Sequence, residues 1–92
     1  MMRLSEQDII DAICIHMASR KQIKPEQVEV ELMWDEDHGF SAEVFAEGRS
    51  QILIAANILE SIERYLLDYR NVRVFRDQIR LGLEDEIYAD IV

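Results

Sequence analysis

Val28-Glu29-Val30-Glu31-Leu32-Met33-Trp34, Asp35-Glu36-Asp37-His38-Gly39, Phe40-Ser41-Ala42-Glu43-Val44-Phe45-Ala46: this stretch decides the fold. Successive side chains of a strand point to opposite faces, so alternation is its signature. Val28, Val30, Leu32 and Trp34 fall on one face, and Glu29, Glu31 and Met33 on the other. Phe40, Ala42, Val44 and Ala46 then alternate with Ser41, Glu43 and Phe45. The reading is a strand over 28–34, a turn in which Gly39 can take positive φ, and a strand over 40–46. Glu47-Gly48 supplies a two-residue hairpin turn into a third strand over 49–54.

Outward from this meander, both flanks read as helices. On the N-terminal side Ser5 precedes Asp8 by three residues, a variant of the capping box. Ile9, Ile10, Ile13 and Met17 recur at helical spacing with His16 beside them, and Arg20 and Lys21 sit at the negative helix end. The helix spans 5–21, and Lys24-Pro25-Glu26 breaks it. Ile15 falls off the stripe, either as an ordinary exposed isoleucine or as the mark of a second contact face. On the C-terminal side a helix over 55–69 carries a core stripe of Ile58, Ile62, Tyr65, Leu66 and Tyr69. Its wet side is Asn57, Glu60, Ser61, Arg64 and Asp68. Two strand-like pieces follow, Gln78 to Leu83 and Ile87 to Val92, joined by Glu84-Asp85-Glu86 as a second hairpin. The segment 70–78 is open between loop, short strand and helix extension. The order α-β-β-β-α-β-β predicts one α+β domain over 1–92, an antiparallel sheet with two helices packed on one face. Whether the second hairpin joins that sheet is open.

Composition narrows the function classes. At 49% hydrophobic and 32% charged residues the chain is no disordered polymer. A formal net charge of −9 opposes approach to nucleic acid or an anionic membrane. Cys14 is the single cysteine, so no intramolecular disulfide can form, and a reduced cytoplasmic protein is expected. Met1 to Asp8 lacks the apolar segment of a secretory signal. The longest apolar run, Ile52-Leu53-Ile54-Ala55-Ala56, is too short to span a bilayer.

No catalytic constellation is visible, and no enzyme activity or cofactor is expected. Nucleophilic catalysis needs a nucleophile, a base and an orienting group in contact. Only His16 and His38 could serve as imidazole bases, and three scattered glycines build no phosphate cradle. Cys14 and His16 are two apart on a helix and point in different directions, whereas zinc needs three or four converging ligands. Asp35, Glu36, Asp37 and His38 share one turn, and a small metal- or ligand-binding protein using that turn is one alternative. The turn lacks the alternating oxygen ligands of an EF-hand.

The run Arg3-Leu4-Ser5-Glu6-Gln7-Asp8-Ile9-Ile10, the stretch Glu26-Gln27-Val28-Glu29-Val30-Glu31-Leu32 and the hairpin Gly39-Phe40-Ser41-Ala42-Glu43-Val44 resemble the YxcD-like family of small bacterial proteins. The similarity covers most of the chain and least of all its last fifteen or so residues. Its motifs are structural: a cap, a strand and a hairpin. The resemblance implies a bacterial, cytoplasmic protein of an uncharacterised family with no assigned active site. The order α-β-β-β-α is also that of double-stranded-RNA-binding domains, and Gly48-Arg49-Ser50 faintly resembles their signature. Where that family places phosphate-gripping lysines this chain has Gln51-Ile52-Leu53-Ile54. That alternative is therefore a divergent RNA-binding-like domain without the RNA-binding residues.

Charge segregation carries the functional expectation. From Pro25 to Gly48 there is no Lys or Arg but there are eight acids. From Arg64 to Arg80 there are five arginines against Asp68 and Asp77. If Trp34 faces Phe40 across the turn, Glu31 lies opposite Glu43, an unfavourable pairing of like charges. The same outer face carries Met33, Phe45, Ile52 and Ile54, and such apolar patches are usually buried by something. The expected interaction surface is Glu31, Met33, Glu43, Phe45, Ile52 and Ile54, answered by Arg73, Arg76 and Arg80 from the same or another chain. The cover is the C-terminal hairpin or a second copy. The expectation is a non-enzymatic protein-interaction module, a homodimer or a binder of another protein, with no bound metal, nucleic acid or membrane.

Overall fold

The computed structural model describes residues 2–92. Strand β1 (Met2–Leu4) leads into helix α1 (Glu6–Lys21), followed by strands β2 (Glu29–Asp35), β3 (Gly39–Ala46) and β4 (Arg49–Ile54). Helix α2 (Ala55–Arg70) and strands β5 (Ile79–Leu83) and β6 (Ile87–Ile91) complete the chain, with single 3₁₀ turns at Pro25–Gln27 and Arg76–Gln78. The expected order α-β-β-β-α-β-β is present, preceded by one further short strand. The strands form two antiparallel three-stranded sheets, β2-β3-β4 and β1-β6-β5. The second hairpin thus does not extend the first sheet. It takes β1 as its third strand, with Met2 opposite Ile91 and Leu4 opposite Ala89.

Local chemistry explains each boundary. The Ser5 hydroxyl accepts from the Asp8 backbone N–H at 3.1 Å and the Asp8 carboxylate accepts from the Ser5 N–H at 3.0 Å, a reciprocal cap. Helix α1 ends at Gln22 and α2 at Asn71, both in the left-handed region (φ 58° and 56°). Between β3 and β4, Glu47 (φ 56°) and Gly48 (φ 74°) are both left-handed, as a type I′ hairpin turn requires. Helix α2 has no side-chain cap, because β4 runs straight into it at Ile54. Segment 70–78 resolves into the last residue of α2, a linker in which only Val74 is buried, and the second 3₁₀ turn.

The core joins Ile9, Ile13 and Met17 of α1 to Ile58, Ile62 and Leu66 of α2, with Ala42, Val44 and Leu53 beneath them. Leu4, Ile79, Ala89 and Ile91 add the inner face of the second sheet. Helix α1 packs against α2 and against strands of both sheets, β2 and β6. It therefore carries apolar residues well beyond one stripe, and Ile15, half-buried, lines a small cavity between the helices together with Tyr65 and Tyr69. Two expectations for α2 change. Ser61, read as wet, is fully buried and donates its hydroxyl to the Asn57 carbonyl at 3.0 Å. Tyr69, read as core, is 62% exposed. The arc of α2 turned inward is centred on Ile58, Ile62 and Leu66, and the small Ser61 lies where α1 brings Ala12 close. Trp34 is on the inward face of β2 but next to the turn, and stays exposed.

Candidate functional site

The outer face of β2-β3-β4 is built by register. Glu31 pairs with Glu43, and Glu43 with Ile52. The neighbouring rows are Met33, Ser41 and Ile54 on one side, and Glu29, Phe45 and Ser50 on the other. Because Trp34 does face Phe40, the opposition of two carboxylates follows from the turn. Three glutamates and four apolar side chains thus share one surface. Most of the apolar ones are open to solvent: Phe45 is 39% exposed, Ile52 56% and Ile54 62%. Among the described residues no cation bonds to Glu29, Glu31 or Glu43.

The arginines of the C-terminal half are not brought to this face within the chain. Arg70 reaches Asp8 and the Tyr65 hydroxyl, each at 3.4 Å. Arg76 pairs with Glu63 of α2 at 3.2 Å. Arg80 lies in β5 opposite Asp90 and donates to the Asp77 carbonyl. Arg73 makes no ion pair among the described residues; its guanidinium lies 5.7 Å from the ring centre of Phe75, which is 57% exposed. So the strands supply the acidic and apolar half of the expected surface, while the basic half stands apart from it. The C-terminal hairpin does not cover the patch either, since Phe45, Ile52 and Ile54 stay exposed with it in place.

That other outer face is closed upon itself. Arg3 donates to both oxygens of Asp90 (2.7 and 2.9 Å) and to Glu84 (3.0 Å). Its guanidinium stacks 3.8 Å from the centre of the Tyr88 ring. Tyr88 lies across Gly82, its cross-strand partner, where a Cβ would stand 2.3 Å from the ring. Arg3 holds the Asp90 carboxyl below its usual range. None of these contacts was legible beforehand; the only hint is the apolar-charged-apolar run Met2-Arg3-Leu4.

The remaining reactive groups are dispersed. In the acidic turn, Asp35 accepts from the His38 backbone N–H at 2.7 Å and lies 3.1 Å from its Nδ1. These bonds lower the Asp35 pKa. Among the described residues no three His, Cys, Asp or Glu side chains stand close enough to hold a metal ion. Cys14 donates to the Val28 carbonyl at 3.4 Å, and burial pushes its thiol pKa up. His16 sits between the helices with Nε2 3.7 Å from Glu60, and burial lowers its pKa against the opposing pull of Glu60. Among the described residues no helix is long and apolar enough to cross a membrane.

Comparison with known proteins places the chain in a family and assigns no chemistry. Residues 1–86 match the model of a family described as "Protein of unknown function (DUF2653)". The chain is 38% identical over 69 residues to "Uncharacterized protein YxcD" of Bacillus subtilis (strain 168), covering 74% of this chain and 68% of that protein. No solved structure matches.

Proposed function

Since the chain belongs to the DUF2653 family, the YxcD-like proteins of unknown function, we propose its role from its surface: a non-enzymatic, cytoplasmic protein-interaction module that self-associates as a dimer through the outer face of β2-β3-β4. One observation carries this reading. Phe45, Ile52 and Ile54 are open on a sheet face whose facing pair, Glu31 and Glu43, has no cation to answer it among the described residues. Water tolerates single exposed apolar side chains, but a contiguous group of them bordered by charge is the composition of a protein contact. The glutamates set register and partner choice, and the apolar side chains supply most of the affinity. Neither nucleic acid nor membrane is expected as a partner, given the net charge of −9.

Sedimentation velocity from low to high micromolar protein, in low and high salt, tests the reading. A mass that rises to that of a dimer, and rises less readily in high salt, is the expected result. A strict monomer at hundreds of micromolar removes it. Ile52→Glu adds a third charge to the glutamate row and should keep the chain monomeric without altering its fold by circular dichroism.

A further inference from the structure

The linker after α2 has the complementary chemistry. Residues 71–75 run from the left-handed Asn71 to the second 3₁₀ turn, and within them only Val74 is buried. Arg73 and Phe75 both project from this segment, with Phe75 57% exposed and the guanidinium near its ring. Neighbouring arginines are spoken for: Arg70 by Asp8, Arg76 by Glu63 and Arg80 by the Asp77 carbonyl. Arg73 has no acidic partner among the described residues, so this knuckle is one cation and one aromatic ring. The β2-β3-β4 face is its converse: among the described residues its carboxylates have no cation and its apolar side chains no cover. Both the acidic excess of 25–48 and the basic excess of 64–80 belong to one chain, so a second copy brings the missing charge to each.

We infer that the occupant of the outer face of β2-β3-β4 is the Arg73–Phe75 knuckle of a second copy. Arg73 bridges the opposed Glu31 and Glu43, and Phe75 lies on Ile52 and Ile54. The contact is reciprocal about a two-fold axis, so each dimer makes it twice. A guanidinium between two carboxylates turns the repulsion of the glutamate pair into the reason for its position. The aromatic ring is the kind of anchor that dominates interface energetics. This inference rests on the self-association proposed above and adds the identity of the docking element.

Charge exchange tests it, with two separately purified full-length variants, Glu31→Lys and Arg73→Glu. Each substitution lies at an exposed position, and thermal melts confirm that each variant folds. Alone, each variant faces like charge with like charge at both contacts, and its dimerisation should weaken at least about tenfold relative to wild type. Mixed in equal amounts, the two should form a one-to-one heterodimer. One of its contacts joins the two substituted positions with their charges exchanged, and the other keeps the native Glu31–Arg73 pairing. Native mass spectrometry of the mixture, with one variant isotope-labelled, reads the heterodimer directly. If the wild type dimerises and both variants dimerise equally well alone, the knuckle is not the occupant and the inference falls while the self-association stands. If each variant is monomeric and the mixture is too, the reciprocal contact is likewise overturned. A wild type that stays monomeric overturns the self-association itself, and the inference with it.

Discussion

The two sheets bury their inner faces alike and treat their outer faces in opposite ways. On β1-β6-β5, the Asp90 carboxylate takes two bonds from Arg3, Glu84 takes a third, and the Tyr88 ring fills the space above Gly82 while Arg3 stacks on it. On β2-β3-β4, Glu31 opposes Glu43 and Ile52 stands open beside them. Both surfaces are made by the same alternation of side chains along antiparallel strands. What separates them is whether the chain itself answers each group. A face whose charges and rings are satisfied internally gains nothing from a partner; a face left unanswered does.

Substitutions break or sharpen this contrast. The largest effect belongs to the inner faces, where the sheets should not differ. Leu4→Ala removes a fully buried side chain from β1 and should cost about 2–5 kcal/mol in urea unfolding. Ile52→Ala on the open face should change the unfolding of the dilute monomer by less than about 0.5 kcal/mol. If the two losses are similar, Ile52 is not solvent-exposed in the monomer. Next comes Gly82→Ala. The added Cβ displaces the Tyr88 ring and with it the stack on Arg3, so a loss of about 1–3 kcal/mol is expected. The same substitution in a Tyr88→Ala background should cost nothing or stabilise slightly, because the obstructing ring is gone and Gly→Ala restricts the unfolded chain.

The ion pairs separate the faces by pH. Arg3 lowers the Asp90 pKa below its ordinary value of 3.8. A carboxyl held down in the folded state contributes stability above its unfolded pKa and loses that contribution as pH falls through the folded one. Acid titration of the wild type below about pH 4 should therefore show a loss to which Asp90→Asn no longer contributes, and Asp90→Asn should already melt at a lower temperature at about pH 7. The smallest change has the opposite sign. Glu43→Gln relieves a like-charge pair and should raise monomer stability by a few tenths of a kcal/mol, on the order of 0.2–0.5, read by thermal melts in dilute solution. At high protein concentration the same substitution should weaken self-association, since it removes one of the two carboxylates proposed to meet Arg73.

The contrast also explains what sequence reasoning could reach. The β2-β3-β4 face was legible because its information is local. Alternation assigns Glu31, Met33, Glu43, Phe45, Ile52 and Ile54 to one side, and the short turn sets Trp34 against Phe40 and hence Glu31 against Glu43. The β1-β6-β5 face was not, because its information is distant. Met2–Leu4 is too short to show a period, and Arg3 meets Asp90 only after the whole chain has folded back. The arginines of 70–80 were visible as a charge excess, but pattern alone could not say that Arg70, Arg76 and Arg80 are engaged within the chain while Arg73 is left. Ser61 and Tyr69 were misplaced for a related reason. A helical wheel gives the angles around α2 but not where α1 crosses it, and that crossing favours a small side chain over a large ring.

Pairing Met2–Leu4 with Ile87–Ile91 imposes an order on folding. Each residue of β1 waits for a partner made more than eighty positions later, while β2, β3 and β4 find theirs close by in the chain. The meander closes short loops and the second sheet a loop of nearly the whole chain, so the meander can form before the second sheet does. During that interval the apolar side of α1 that β6 will cover faces water, and the late strand closes the fold as a latch.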